Sequence, residues 1–328
     1  MMHPIKLCTI GCGRHSQVAH GAVQAELAER NPGLLQLAAC CDLDAGLAAE
    51  YASRFGFARH YTNIDEMIRQ ERPDSICLVV PASAACQLGV KLLAKGIPLL
   101  MEKPPGLSSG ELEALIAAAE RSGCRHLVGF NRRFMPIITR ACEILRGEEF
   151  STPWKMNYEL IRRNRRDIDF STTAIHAIDA ALFLANSPLT TAHAAYADYP
   201  ELGSTVSSMH IRGECASGTR IDWTIHPAAG RVYERVTIHA VGHTLVLKLP
   251  IRSDKTPGLL THWADDKLAM QKTFTPPHQI GFLQQTSAFL QALSRGEEPP
   301  PRPRLTDCRQ SVALMEALRA RKTTVEMR

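Results

Sequence analysis

The chain predicts two domains: a doubly wound parallel α/β domain, then an α+β domain on a large, mainly antiparallel open sheet. Three observations carry this expectation. Short apolar runs alternate with helical spacing as far as residue 127, which implies a parallel sheet covered on both faces. From about residue 150 the runs alternate apolar with polar residues, the period of strands packed on one face only. At 328 residues the chain is long for one hydrophobic core. The boundaries expected are 1–127 and 128–328, with the last helices packing back on the first domain.

The first expected strand, Ile5 to Ile10, ends in Gly11. A helix from His15 to Arg30 stops at the breaker Asn31-Pro32-Gly33. Leu34 to Cys41 is a strand, Ala45 to Phe55 a helix closed by Gly56, and Ile64 to Gln70 a short helix after Thr62-Asn63. Ser75 to Val80 reads as a buried strand ended by Pro81. Ala84 to Lys95 is a helix, Pro98 to Met101 a strand, Ser108 to Ser122 a helix and Arg125 to Phe130 a strand. In the second domain the strand-like runs are Trp154 to Leu160, Thr191 to Ala197, Thr205 to Arg212, Thr219 to Ile225, Arg235 to Ala240 and His243 to Leu249. Helices are expected over Thr172 to Leu184, Ile280 to Ser294 and Cys308 to Ala320, with a proline-rich connector from Glu297 to Pro303.

Hydrophobic residues make up 45% and charged residues 22%, an ordinary globular balance. The net charge of +5 is dispersed, which argues against a nucleic-acid partner. No run reaches the length of a membrane helix, so no membrane partner is expected. The ten cysteines include none at C-x-x-C spacing, and many lie in apolar runs. That usage fits reduced, buried thiols, and no metal is expected. Met1-Met2-His3-Pro4-Ile5-Lys6 has no signal-peptide pattern, so the expected location is the cytoplasm.

Gly11-Cys12-Gly13-Arg14-His15-Ser16 lies between a strand and a helix, the context a dinucleotide fingerprint requires. Gly11 permits the tight turn, Gly13 lets the backbone approach a pyrophosphate, and Ser16 takes the place of the third glycine. Arg14, His15 and Pro81 join them as expected cofactor contacts. Asp42, at the end of the second strand, can accept hydrogen bonds from ribose hydroxyls. It would repel a 2′-phosphate, and no arginine follows it directly, so NAD is expected over NADP. The same aspartate could instead cap a turn.

Met101-Glu102-Lys103-Pro104-Pro105 places a lysine at the end of an apolar strand, with proline restricting its backbone. A lysine against an apolar wall can have a lowered pKa and exchange a proton. Taken alone, Lys-Pro is also an ordinary surface turn.

Gly11-x-Gly13, Cys41-Asp42, Glu102-Lys103-Pro104, Gly129-Phe130-Asn131-Arg132-Arg133-Phe134 and His176-x-x-Asp179 occur in one order along the chain. Together they resemble the glucose-fructose oxidoreductase / inositol dehydrogenase / rhizopine catabolism family (Gfo/Idh/MocA). The resemblance implies an N-terminal Rossmann domain, a second domain on a large open sheet, and oxidation or reduction of sugars and cyclitols. It implies proton transfer by Lys103, with Glu102 near the nicotinamide end and the peptide before Pro104 often cis. His176 matches the general acid/base, and Asp179 would orient that helix or the histidine. Thr172 stands where relatives carry an aspartate, and Ala85 near the point where they carry a histidine. A homo-oligomer, dimer or tetramer, follows from the open sheet of relatives. A regulator that holds NAD and a sugar without turnover is the rival reading.

Ile161-Arg162-Arg163-Asn164-Arg165-Arg166-Asp167 precedes the His176 helix. As a strand it would put Arg163 and Arg165 on one face, where guanidinium groups could hold an anionic sugar. The alternative is a solvated or interface loop. The expected substrate contacts are Asn131, Arg132, Arg163, Arg165, Thr172 and Thr173.

Overall fold

The computed structural model describes residues 3–148, 150–167, 169–204, 206–251, 257–297 and 303–327. The expected strand start at Thr205 and most of the proline-rich connector lie outside them. The chain forms two compact units, Met1–Gly129 with Phe282–Arg309 and Phe130–Gly281 with Gln310–Arg328.

The first unit holds β1 (Ile5–Ile10), α1 (Arg14–Ser16), a π-helical turn (Gln17–Gly21) and α2 (Ala22–Arg30). There follow β2 (Leu35–Cys41), α3 (Ala45–Phe55), β3 (Arg59–Tyr61), α4 (Ile64–Glu71), β4 (Ser75–Leu78) and α5 (Ala82–Ala94). β5 (Leu99–Met101), α6 (Ser109–Ser122) and β6 (His126–Val128) complete the run. All six strands are parallel, in the order β3-β2-β1-β4-β5-β6, the doubly wound order whose direction reverses between β1 and β4. Leu7, Ile76, Leu99 and Leu127 are buried to 2% exposure or less, as expected of strands covered on both faces. Local chemistry sets the helix starts. The Asp44 side chain accepts from the amides of Gly46 and Leu47, Asn63 from Glu66, and Ser108 from Glu111.

The expected uninterrupted helix from His15 to Arg30 is corrected: the π turn interrupts it. The turn ends at Gly21, which packs so closely on Phe55 that a Cβ there would come within 2.6 Å of the ring. The strand Arg59–Tyr61 was not expected; it is a short, largely exposed edge with no apolar pattern.

The second unit holds α7 (Pro136–Leu145), β7 (Lys155–Ile161) and α8 (Ser171–Ala185). β8 (Leu189–Asp198), β9 (Ser207–Cys215), β10 (Arg220–His226), β11 (Tyr233–Ala240) and β12 (His243–Lys248) follow. β13 (Gly258–Ala264) and β14 (Lys267–Phe274) come next. After α9 (Phe282–Ser294), which belongs to the first unit, come α10 (Arg309–Arg319) and β15 (Thr324–Glu326). The nine strands run β14-β13-β12-β11-β7-β10-β9-β8-β15. Every pairing is antiparallel except β7 with β10. One face, with Met156, Tyr158, Leu160, Ile211, Ile221, Trp223, Val236 and Ile238, packs in one core with Ala174, Ala177, Ile178 and Ala181 of α8. The small side chains of α8 bring its backbone close enough for Trp223 Nε1 to donate to the carbonyl of Ala177 at 3.1 Å.

The cysteines are all unpaired; nine are buried and Cys86 is half-buried. Among the described residues no helix is long and apolar enough to cross a membrane.

Candidate cofactor and active site

In the first unit the functional residues collect at the carboxyl edge of the sheet. The amide of Gly11 donates to Cys41 O at 2.8 Å and that of Val79 to Ile10 O at 2.8 Å. The Glu102 amide donates to Leu78 O at 2.9 Å and that of Gly129 to Met101 O at 2.7 Å. Strand pairing therefore brings the glycine turn and Glu102-Lys103 to one rim, the rim on which doubly wound folds bind ligands.

Gly11 has φ +93°, and a Cβ there would lie 2.0 Å from Val79 O. No larger residue fits. Gly13 differs: no heavy atom lies within 4 Å of a Cβ built on it, so its open face can receive a pyrophosphate at the helix start. Ser16, in the third glycine position, is buried and donates to Tyr51 Oη at 3.0 Å. Asp42 Oδ2 accepts from the Cys12 amide at 2.7 Å and Oδ1 from the Asp44 amide at 3.0 Å. The carboxylate thus braces the turn, and its remaining lone pairs can still accept ribose hydroxyls. Leu43, 91% exposed, follows it where a 2′-phosphate would need a cation. Pro81 sits exposed at the start of α5. These features fit a bound NAD.

Glu102 is buried. Its Oε1 lies 2.8 Å from His20 Nε2 and 3.6 Å from His15 Nε2. Burial would raise its pKa, but the two imidazoles outweigh burial and hold the carboxyl well below the usual range. Burial opposes the His20 imidazolium, yet Cys77, 3.6 Å from Nδ1, and Glu102 lift its pKa to about 10. A Cβ on Gly129 would stand 3.0 Å from Glu102 Oε1, so the motif's glycine makes room for this carboxylate. The Lys103-Pro104 peptide is cis, Lys103 is half-buried, and its amide donates to Glu102 Oε2 at 3.1 Å.

In the second unit His176 lies on α8, half-buried between the fully buried Ile175 and Ala177. Thr172 Oγ1 donates to Asp169 O at 2.8 Å, and Thr173 Oγ1 accepts from Arg165 Nη2 at 3.3 Å. The arginine stretch takes the loop alternative: β7 ends at Ile161, close to the expected strand end at Leu160, and Asn164 turns the chain with φ +50°. Arg165 pairs with Asp167 at 2.6 Å, while Arg163 is exposed.

Arg132 is buried and bidentate on Glu234, at 2.6 and 2.9 Å. Glu234 also accepts from Arg162 Nη2 at 2.7 Å and Tyr158 Oη at 2.6 Å. Burial would raise the Glu234 carboxyl, and Arg132 and Arg162 hold it low instead. This engagement makes Arg132 a brace of the second unit rather than the substrate contact expected. Asn131 is buried, its Nδ2 donating to Ile280 O at 2.7 Å. Arg133 is bidentate on Asp179, at 2.8 and 2.5 Å, so Asp179 anchors α8 to the Asn131–Phe134 turn.

Sequence reasoning missed His20, Cys77 and Glu234. The signal for Glu234 was present: it occupies the buried phase of a strand with Val236 and Ile238.

Residues 5–130 match the model of the Gfo/Idh/MocA oxidoreductase family, described as having an NAD-binding Rossmann fold. The D-apiose dehydrogenase of Paraburkholderia graminis is 28% identical over 162 residues, 45% of this chain and 43% of that protein. The rhizopine catabolism protein MocA of Rhizobium meliloti is 28% identical over 150 residues, 44% of each. The chain thus aligns with less than half the length of these curated relatives. Over the whole chain, levoglucosan dehydrogenase in complex with NADH has the same fold: TM-score 0.84 at 16% identity, covering 99% of this chain and 100% of that one.

Proposed function

We propose that the chain is a member of the glucose-fructose oxidoreductase / inositol dehydrogenase / rhizopine catabolism family of oxidoreductases, whose NAD-binding model its residues 5–130 match, and that it is an NAD-dependent dehydrogenase. Its substrate is a sugar, cyclitol or sugar-acid-like compound, oxidised at a secondary hydroxyl or reduced at the matching ketone. The observation that carries this reading is the rim of the parallel sheet, where the open Gly13 turn, Asp42 and Glu102-Lys103 share one edge.

Gly11, Gly13, Arg14 and His15 hold the pyrophosphate and the helix start. Asp42 accepts from the ribose, and its charge with the neighbouring Leu43 selects NAD over NADP. Bound NAD supplies the hydride acceptor. Lys103 and His176 handle the hydroxyl proton, a contribution typically worth about 10²–10⁴-fold in rate. Arg163, Arg165 and Thr173 lie near the start of the His176 helix in sequence and favour an anionic substituent. The face of the nine-stranded sheet that carries Lys155, Asp222, Glu159 and Arg235, paired across strands at 2.5 and 2.6 Å, serves a homo-oligomer.

The test follows absorbance of NADH with polyols, sugar acids and keto-sugars, comparing the wild type with Lys103→Met. Turnover lost in the variant supports the reading. Tight NAD binding with no turnover by the wild type on any compound would instead favour a regulator of the same fold, the role to which Thr172 in place of a carboxylate points.

A further inference from the structure

We propose that His15, His20 and Glu102 form a site for one zinc-class transition-metal ion, set in the dinucleotide crevice of the first unit. In an unbroken α-helix, residues five apart stand about 140° apart around the axis, on different faces. The π turn over Gln17–Gly21 removes that separation. It inserts one residue, so His20 takes the place of a residue four after His15, roughly 40° away. Both imidazoles thereby come to the same carboxylate.

The three ligand atoms, one from each side chain, lie within 4.8 Å of one another. Glu102 Oε1 is 2.8 Å from one imidazole nitrogen and 3.6 Å from the other. Ligands about 2.0–2.1 Å from a tetrahedral zinc stand roughly 3.4 Å apart, so small side-chain shifts suffice. Two imidazoles and one carboxylate suit zinc, cobalt or nickel, whereas calcium and magnesium take oxygen ligands.

The surroundings match such a site. Cys77 Sγ meets His20 Nδ1 at 3.6 Å and fixes the ring with Nε2 toward Glu102. The Phe282 ring meets the His15 and His20 rings edge-on, with centroids 6.2 and 5.4 Å away, which forms an apolar wall. His20 and Glu102 are buried, while the His15 side chain is 55% exposed. An ion can therefore enter past His15 and keep its fourth position open to solvent. The rim position makes the ion a competitor of the cofactor, a consequence that rests on the NAD placement proposed above.

The experiment uses untagged, chelator-stripped protein titrated with Co²⁺. The expected result is one equivalent per chain with a visible ligand-field band, displaced by Zn²⁺. His15→Gln, a change at the exposed ligand, weakens binding by at least about tenfold while the metal-free variant still unfolds in one cooperative transition. Absence of saturable binding below ~100 µM, about 5.5 kcal/mol, or equal binding by His15→Gln, overturns the site. A second arm measures NAD binding by calorimetry with and without Zn²⁺. A weaker NAD affinity is expected. Saturated metal with unchanged NAD affinity would remove the competition, and NAD that binds neither form would fault the cofactor placement instead.

Discussion

Each unit buries a cluster of charge, and the two clusters end differently. In the first, the chain Cys77–His20–Glu102–His15 runs from the sheet interior to solvent. In the second, Glu234 takes Arg132, Arg162 and Tyr158, and every member of the group is buried. A cluster that closes on itself fixes geometry. A cluster that opens at the rim leaves charge for a ligand. The motifs Glu102-Lys103-Pro104 and Asn131-Arg132-Arg133-Phe134 read alike as site signatures, yet Arg132 and Arg133 serve the interior.

The largest effect that would sharpen this contrast is kinetic. Lys103→Met should lower kcat by about 10²–10⁴-fold, roughly 2.7–5.5 kcal/mol of barrier, with unfolding unchanged. Turnover within about threefold of the wild type, under 1 kcal/mol, would detach Lys103 from the chemistry. Glu234→Gln should do the reverse. It leaves two buried guanidinium groups short of a counter-charge, at a cost of about 3–5 kcal/mol in urea unfolding. Because the folded Glu234 pKa is depressed, its contribution is present above the ordinary value near ~4.3 and fades as pH falls toward the folded value. The variant should therefore show a flatter acid limb.

His20→Gln should cost about 1.5–3 kcal/mol near neutral pH, the range for hydrogen bonds to charged groups. The folded His20 pKa is about 10, above its ordinary value, so its stabilisation is full below ~6.5 and is lost as pH rises to about 10. Wild-type stability should decline across that window and the variant should decline less. Smallest of all, Arg163→Ala should change stability by less than ~0.5 kcal/mol. It should raise KM for sugar acids and leave neutral polyols untouched; equal KM values for both classes would remove Arg163 from the site.

The legibility of the fold followed the density of apolar side chains. Runs such as Ile76-Cys77-Leu78 can only be buried strands, and β1, β4 and β5 lie where their composition put them. β14 was illegible because seven of its eight residues are exposed or half-buried and no alternation survives. The glycine turn and the cis lysine motif were readable because each needs particular residues at fixed spacing. His20 was not, since the inserted residue of the π turn shifts it out of helical phase. Arg162 carried a clue of its own: it stays in step with Met156, Tyr158 and Leu160, and a cation in that phase must find a partner indoors.

The distribution of sulfur has a practical consequence. Cys86, whose thiol is pushed up by burial, is the one cysteine that is only half-buried. A colorimetric disulfide reagent should therefore titrate a single slow group in native protein and all ten after denaturation, so the chain carries its own gauge of intactness.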